Sequence, residues 1–573
     1  MSRYGTIMGS KNLRDVKDDS MKLCGSRKDE ADAPSGLENG IEKTSVGNAI
    51  DKFGLYQVMM FALISLPLMF TAGFTLCYIF TAGEIKYRCL VPECERPENA
   101  TFNPTWVNAS APRIKGDDMS RCTRYTVRDH SGACTINSFT NVTRDCDSWV
   151  YDPTESTILN EWDLTCNANR WKLTLVGTVN SVGQFVGLMF AGYISDRFMF
   201  YSSKYELTKF QIGEEISLFI FLKKIVKNLF FGYLNQNLPL TYALFSGMEM
   251  AGVKNRVFGS TIISCMFAVG EILLGLIAGW LKSWRALLRI VYGPALLAIF
   301  LPLLIPESVR WLLSKGKNDQ VEKIYYKMAR MNGLQVTDEA VREFKELNVI
   351  KPQTKNELVM SEERKPIVQV LHSSVILIRL LACSFCWLTN TFVYYGLSLN
   401  SVAFAGDKYT NFVLVALVEI PAYFLTWLLT DHIGRKPTLS GSFLLSGVFC
   451  LAIQFIPKGG SSYAPLLLYM AGKLCITIAF ATIYIYTTEL FPTTMRHSLL
   501  GICSMTGRIG SILSPQTPLL AQIMPALPLI LFGAMGMIAG VLSLIFPETL
   551  GTKLPDTVWE AENIGKVQLK QDS

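Results

Sequence analysis

The sequence predicts an all-α polytopic membrane protein of two halves, about six helices each. Three observations predict it. The chain has 573 residues, 50% of them hydrophobic, and a mean hydropathy of +0.28. Its uncharged runs repeatedly reach the ~20 residues needed to cross ~30 Å of hydrocarbon. A charge box, Asp431-His432-Ile433-Gly434-Arg435-Lys436, sits between two apolar runs, and a partial twin, GYISDRF from Gly192, follows an earlier run. A polar stretch, residues 306–374, separates the two sets of runs. Paired markers on either side of a linker point to a transporter built from repeats. In the box the Gly makes a tight turn, the Asp is placed to accept from N–H groups at a helix start, and Arg and Lys stay on the cytoplasmic side.

Residues 1–55 mix acidic and basic side chains without an apolar core. They read as a cytoplasmic tail with no signal peptide. The N-terminal half covers 56–305, and its first membrane helix is expected over about Gln57–Ile79. A polar loop, 80–170, then holds Cys89, Cys94, Cys122, Cys134, Cys146 and Cys166. It also holds glycosylation acceptors at Asn99, Asn108 and Asn141. An even cysteine set among acceptors reads as an exported, disulfide-stapled loop, with all 15 pairings open. A second helix is expected over Leu173–Tyr193, where Gly177, Gly183 and Gly187 would let neighbours approach.

Residues 199–246 break the pattern. Lys204, Glu206, Lys209, Glu214 and Glu215 exclude a span in their first part. A span over Ile216–Phe231 would bury three lysines at roughly 8–10 kcal/mol, against roughly 5 kcal/mol from its apolar residues. A surface-lying amphipathic helix suits that stretch equally well. Clear helices resume at about Val257–Leu281 and Leu287–Ile305. After the cytoplasmic linker, 306–374, the C-terminal half, 375–546, carries six runs: about Val375–Phe392, Thr410–Leu429, Thr438–Ile456, Tyr463–Tyr486, Leu499–Pro518 and Leu527–Phe546. The polar tail, 547–573, follows. With the cysteine-rich loop outside, both termini and the linker fall on the cytoplasmic side of the plasma membrane.

Charged residues deep in a span are the candidates for function. Arg508, Glu419 and Lys473 lie near mid-depth in the second half, and Glu271 is their first-half counterpart. Arg508 needs an anionic partner or a wet cavity, because guanidinium stays charged. Trp387, Tyr394, Tyr395 and Tyr484 could line a cavity around it by apolar and cation–π contact. The positive excess of Arg508 and Lys473 over Glu419 favours a carboxylate-bearing ligand. Glu489 and Arg496, with Arg435 of the box, suggest an ion-pair gate at the cytoplasmic end. Asp196 and Arg197 of the twin, and Glu307 and Arg310 after the sixth helix, would extend it.

Other classes lack support. The four histidines show no paired metal spacing and no phosphate-binding Gly-rich loop occurs, so no metal, cofactor or ATP-driven step is expected. The net charge of +7 is spread over loops, unlike the concentrated basic face of a nucleic-acid binder.

Taken together, several runs resemble the organic cation, organic anion and carnitine transporters of the major facilitator superfamily. They are Ser148-Trp149-Val150-Tyr151, Glu161-Trp162-Asp163-Leu164-Thr165-Cys166, GYISDRF, Gly247-Met248-Glu249 and PESVRWLL from Pro306. They continue with FVYYGLSLN from Phe392, LVEIPAY from Leu417, DHIGRK from Asp431, YTTELFPTTMRH from Tyr486, RIGSILSP from Arg508 and PETLGTKLPDT from Pro547. The resemblance implies the major facilitator fold, twelve helices, alternating access, and a cavity lined by helices 1, 4, 7 and 10 with help from 8 and 11. It implies substrate handling at Trp387, Tyr394 and Glu419. Arg508 matches a position that is acidic in the classical cation carriers and basic in the carnitine and anion branches. Nothing resembles the family between Met199 and about Gly247.

The expected function is secondary transport of a small organic ion, a zwitterion or anion rather than a simple cation. Its expected partners are that ion, the bilayer, and a coupling ion or exchanged counter-substrate. The alternative is a non-transporting binding or regulatory relative with a disabled first half.

Overall fold

The computed structural model describes residues 54–113, 119–128, 134–197, 256–294, 312, 318–333, 373–404, 406–457, 463–493, 495–552, 554–555 and 557–564. Within them the first part of the chain forms α1 (Leu55–Leu76), α2 (Tyr78–Thr81), α3 (Ile158–Glu161), α4 (Cys166–Arg197), α5 (Arg256–Leu281), α6 (Trp284–Tyr292) and α7 (Asn318–Met331). The second part forms α8 (Ser374–Asn400), α9 (Lys408–Leu417), α10 (Glu419–His432), α11 (Arg435–Ala452), α12 (Ala464–Leu490), α13 (Arg496–Leu513), α14 (Thr517–Ile523), α15 (Leu527–Ser543) and α16 (Val558–Glu562). Among the described residues, six helical stretches are long and apolar enough to cross a membrane: Leu55–Thr81, Thr261–Leu281, Ser374–Ala403, Lys408–His432, Arg435–Phe455 and Ala464–Leu490. The expected spans in 199–246, most of the expected sixth helix and most of the 306–374 linker lie outside the described residues.

By its contacts the chain divides into two compact units. The smaller comprises Met1–Gln57, Met250–Lys254 and Val309–Ser361. Its described part is held by polar contacts around Asn332, which accepts from the Tyr56 N–H at 2.9 Å and donates to Gln57 at 2.9 Å. The amphipathic helix α7 buries Val321, Tyr325, Met328 and Ala329.

The larger unit holds the remaining helices and the cysteine-rich loop. Its helix starts are set locally. Ser373 accepts from the Ile376 N–H at 3.2 Å to cap α8, and Asp407 accepts from the Thr410 N–H at 2.9 Å to cap α9, the pairing that satisfies orphan donors. Pro421 has no N–H to give to Leu417, and its ring disfavours a straight continuation. The eighth expected span is one stretch, Lys408–His432, with a local break at Val418 between α9 and α10. This break sets Glu419 at the first position of α10.

Large apolar residues fill the interior of the second part, with Trp387, Tyr394, Phe443, Tyr469, Phe491 and Phe532 all buried. A second cluster joins the two parts of the chain. Phe80 stacks on Tyr409 at 5.4 Å and meets Phe412 edge-on at 5.1 Å. Gly177 of α4 explains one close approach: a Cβ there would lie 2.6 Å from Tyr78 and 2.8 Å from Pro515.

In the loop, β1 (Tyr87–Cys89) pairs antiparallel with β4 (Trp149–Tyr151), and β2 (Thr123–Val127) with β3 (Phe139–Asp145). Two-stranded ribbons are marginal alone. Three bridges hold them: Cys89–Cys146, Cys94–Cys134 and Cys122–Cys166. The six cysteines picked from the sequence are thus all paired, in one of the 15 ways left open. Arg88 forks onto Glu95 at 2.5 and 2.7 Å, and Arg124 onto Glu93 at 2.8 and 3.0 Å. Asn99, Asn108 and Asn141 are all exposed.

Candidate functional site

The site is built from α8 outward. Residues three, four and seven apart share a helix face, so Trp387, Tyr394 and Ser398 all address α12. The Trp387 indole N–H donates to the Thr487 hydroxyl at 2.9 Å. Its ring meets Tyr484 edge-on at 4.4 Å. The aromatic contacts continue through Phe480 to Tyr394 and Tyr395, with centroid separations of 5.5, 4.9 and 5.2 Å. Phe480 was not singled out from sequence, although it stands four residues before Tyr484 on the same face.

Lys473 of α12 is fully buried. It lies 2.8 Å from Glu419 Oε1, donates to Ser398 Oγ at 2.7 Å and to the Tyr394 carbonyl at 3.3 Å. The ammonium also sits 3.3 Å from the centre of the Tyr394 ring. Tyr394 Oη donates to Glu419 Oε2 at 2.7 Å and lies 3.3 Å from Glu271 Oε1 of α5. The pairing of Lys473 with Glu419 removes Lys473 from the positive excess expected beside Arg508. Trp387, Tyr394, Glu419 and Lys473 are all at most 2% exposed, closed behind Tyr395 and Tyr484, which are half-buried.

Arg508 of α13 is half-buried, and its Nη1 donates to Gln184 Oε1 at 3.3 Å. Gln184 donates to Asn180 at 3.3 Å, and Asn180 to the Thr75 carbonyl at 3.1 Å. The guanidinium is thus held from α4 and α1 by neutral groups. Among the described residues, no carboxylate forms a salt bridge with it. Gln184 carried no signal in the sequence, since an amide in an apolar run has no distinctive spacing.

At the opposite end from the cysteine-rich loop, Gly434 has φ +108° and leads into α11. The carboxylate that caps this turn is Glu548, not Asp431. It accepts from the Arg435 and Lys436 N–H groups at 2.9 and 3.0 Å. Asp431 lies 4.0 Å from Arg435 Nη1. Arg435 bonds Glu489 at 3.2 Å, Glu489 accepts from Thr549 at 2.6 Å, and Arg496 reaches the Phe491 carbonyl at 3.5 Å. The Glu548 cap comes from the PETLG run, which resemblance flagged but local reasoning did not. Of the other expected gate residues, the side chains of Asp196 and Arg197, and Glu307 and Arg310 altogether, lie outside the described residues.

A family profile described as "Sugar (and other) transporter" matches residues 134–559. The "Organic cation transporter protein" of Drosophila melanogaster is 30% identical over 533 residues, covering 91% of this chain and 95% of its own. "Organic cation/carnitine transporter 2" of Rattus norvegicus is 32% identical over 534 residues, covering 89% and 92%. The chain belongs to the solute carrier family 22 group of these transporters. It is therefore a multi-pass membrane protein of a transporter family and not an enzyme. Among solved structures, the xylose transporter XylE from E. coli in its inward open conformation aligns with a TM-score of 0.54 at 15% identity, over 87% of this chain and 98% of its own. The partially occluded inward open form of XylE gives 0.53 at 17% identity, over 87% and 100%. That likeness establishes the major facilitator fold.

Proposed function

We propose that the chain is a secondary transporter of small organic ions in the plasma membrane, working by alternating access and favouring a carboxylate-bearing zwitterion or anion over a simple cation. One observation carries the charge preference. Arg508 is half-buried and held by the neutral Gln184, and among the described residues no carboxylate pairs with it, which suits a substrate carboxylate. Lys473 is already neutralised by Glu419, and Glu271 lies behind Tyr394. The aromatic surface of Tyr395 and Tyr484 suits a quaternary ammonium or apolar body. The carnitine named in several relatives agrees with that chemistry.

The cysteine-rich loop faces outside and both termini face the cytoplasm. Glycans on Asn99, Asn108 and Asn141 of intact cells should yield to added glycosidase, and resistance would reverse the orientation. Uptake of labelled carnitine-like, anionic and cationic probes into expressing cells tests the function. The zwitterion or anion should accumulate faster, and Arg508→Asp should shift preference towards the cation by tenfold or more, about 1.4 kcal/mol. Unchanged selectivity would remove Arg508 from the binding site. Absence of uptake of every probe, with the protein at the cell surface, would favour a non-transporting relative.

A further inference from the structure

Glu271 is a charge that the substrate reading leaves without a task. It lies in the middle turns of α5, is 1% exposed, and reaches the Lys473–Glu419 pair from the other half of the chain. Among the described residues, the titratable groups that face it are few. They are Tyr394 and Tyr395 on α8, Glu419 and Tyr423 on α10, and Lys473 on α12. Cys265, on its own helix, acts on Tyr423. On α9, Lys408 is engaged with Glu155, and Tyr409 packs at Gly279, two turns away. Arg508 reaches Tyr395.

The charge count decides what this cluster holds. Among the described residues two carboxylates face one ammonium, which leaves one negative charge in excess. A bare charge so fully excluded from water costs several kcal/mol. The Tyr394 hydroxyl lies 2.7 Å from Glu419 Oε2 and 3.3 Å from Glu271 Oε1; it has one hydrogen to give, so the second contact becomes a hydrogen bond only when one carboxyl carries a proton, and two bare carboxylates so placed would repel. Lys473 lies 2.8 Å from Glu419 Oε1, and the Tyr394 hydroxyl lies between Glu419 Oε2 and Glu271 Oε1. That arrangement fits a shared proton and not a coordinated metal cation, which would need several oxygens turned towards one point.

The cluster is also placed to open and close. α5 belongs to the first half, and α8, α10 and α12 to the second. α5 approaches α9 closely at Gly275, where a Cβ would meet Val413 at 2.7 Å. Rocking of one half against the other would draw Glu271 away from Glu419 and admit water to both.

We propose that Glu271 carries a coupling proton: the Glu271 and Glu419 carboxyls share one proton while α5 and α10 are together, and Glu271 releases it to water when they part. This rests on the transport reading above. No covalent bond changes. The proton moves from a carboxyl oxygen to water, and Lys473 then balances Glu419 alone.

Two measurements on the full-length chain in proteoliposomes test it separately. The first is infrared difference spectroscopy of the protein without substrate. The wild type should show the C=O stretch of a protonated carboxyl at neutral pH, and Glu271→Gln and Glu419→Gln should each abolish it, since either leaves one carboxylate for one ammonium. A wild type without the band, or a Glu271→Gln variant that keeps it in full, would overturn the proposal. The second is uptake of a carnitine-like probe under an imposed pH gradient. The wild type should accumulate it as the gradient directs. Glu271→Gln should lose that accumulation while retaining exchange of internal for external probe. Accumulation that follows sodium and ignores pH would also overturn it. If no probe is taken up but the band behaves as expected, the transport reading falls and the shared proton stands.

Discussion

A lysine inside a bilayer is tolerable when each of its N–H bonds finds an acceptor. Lys473 donates to Ser398 and the Tyr394 carbonyl and is ion-paired with Glu419. Removing it strands Glu419 beside Glu271, and breaking such a pair costs about 3–5 kcal/mol. Lys473→Met should therefore lower the thermal stability of the detergent-solubilised protein sharply. Lys473→Met with Glu419→Gln should recover most of the loss, because Glu419 no longer strands a charge and Glu271 stays neutral by keeping its proton. Equal loss in the single and double variants would mean that packing, not charge, sets the stability here. Residue type alone singled out Arg508, Lys473, Glu419 and Glu271, since depth makes any charge costly. Their pairing was not legible. Lys473 and Glu419 stand on different helices, and only tertiary packing decides that Lys473 neighbours Glu419 and that Arg508 does not.

At the scale of elements, most helices could be read from the apolar runs. The corrections came where backbone chemistry overrides hydropathy. Pro421 disturbs the eighth span locally at Val418 without ending it, and α8 ran on to Asn400, eight residues beyond its expected end at Phe392, because polar Asn400 and Ser398 find partners along the bundle. The turn at Gly434 was legible as a turn, and its partner Glu548, a hundred residues on, was not. Gly434→Ala should be costly for two reasons. Its φ of +108° lies where L residues are strained, and the new Cβ would fall 2.7 Å from the Glu548 carboxylate. Strain of that kind is worth about 1–3 kcal/mol. We expect Gly434→Ala to reduce both the melting temperature and the amount of protein at the cell surface. Glu548→Ala in the same background should relieve the clash but lose the cap, leaving stability still below wild type. Wild-type stability in Gly434→Ala would show that the turn can adopt another conformation.

For the whole molecule, the described contacts between the two halves gather towards the end that carries the cysteine-rich loop. Phe80 packs against Tyr409 and Phe412, Gln516 donates to Thr178 at 2.5 Å, and Thr174 donates to Gln516 at 3.1 Å. Lys408 pairs with Glu155. Near mid-depth, Arg508 joins Gln184, and Glu271 joins the Lys473 cluster. At the opposite end the described bonds of Arg435, Glu489 and Glu548 stay within the second half. The loop-end contacts among the described residues were not legible in the sequence, because each joins residues far apart in the chain. If the chain works by alternating access, as proposed, these loop-end contacts break once per cycle. Replacing Thr178 and Gln516 by cysteine and joining them with a short bifunctional thiol reagent should hold that end closed. Uptake should then fall to background and return when a reducing agent cleaves a reducible linker, while each single-cysteine variant keeps its uptake. Continued uptake through the cross-linked protein would mean that this end does not open, and the rocking model would have to be replaced by one in which the halves stay joined there.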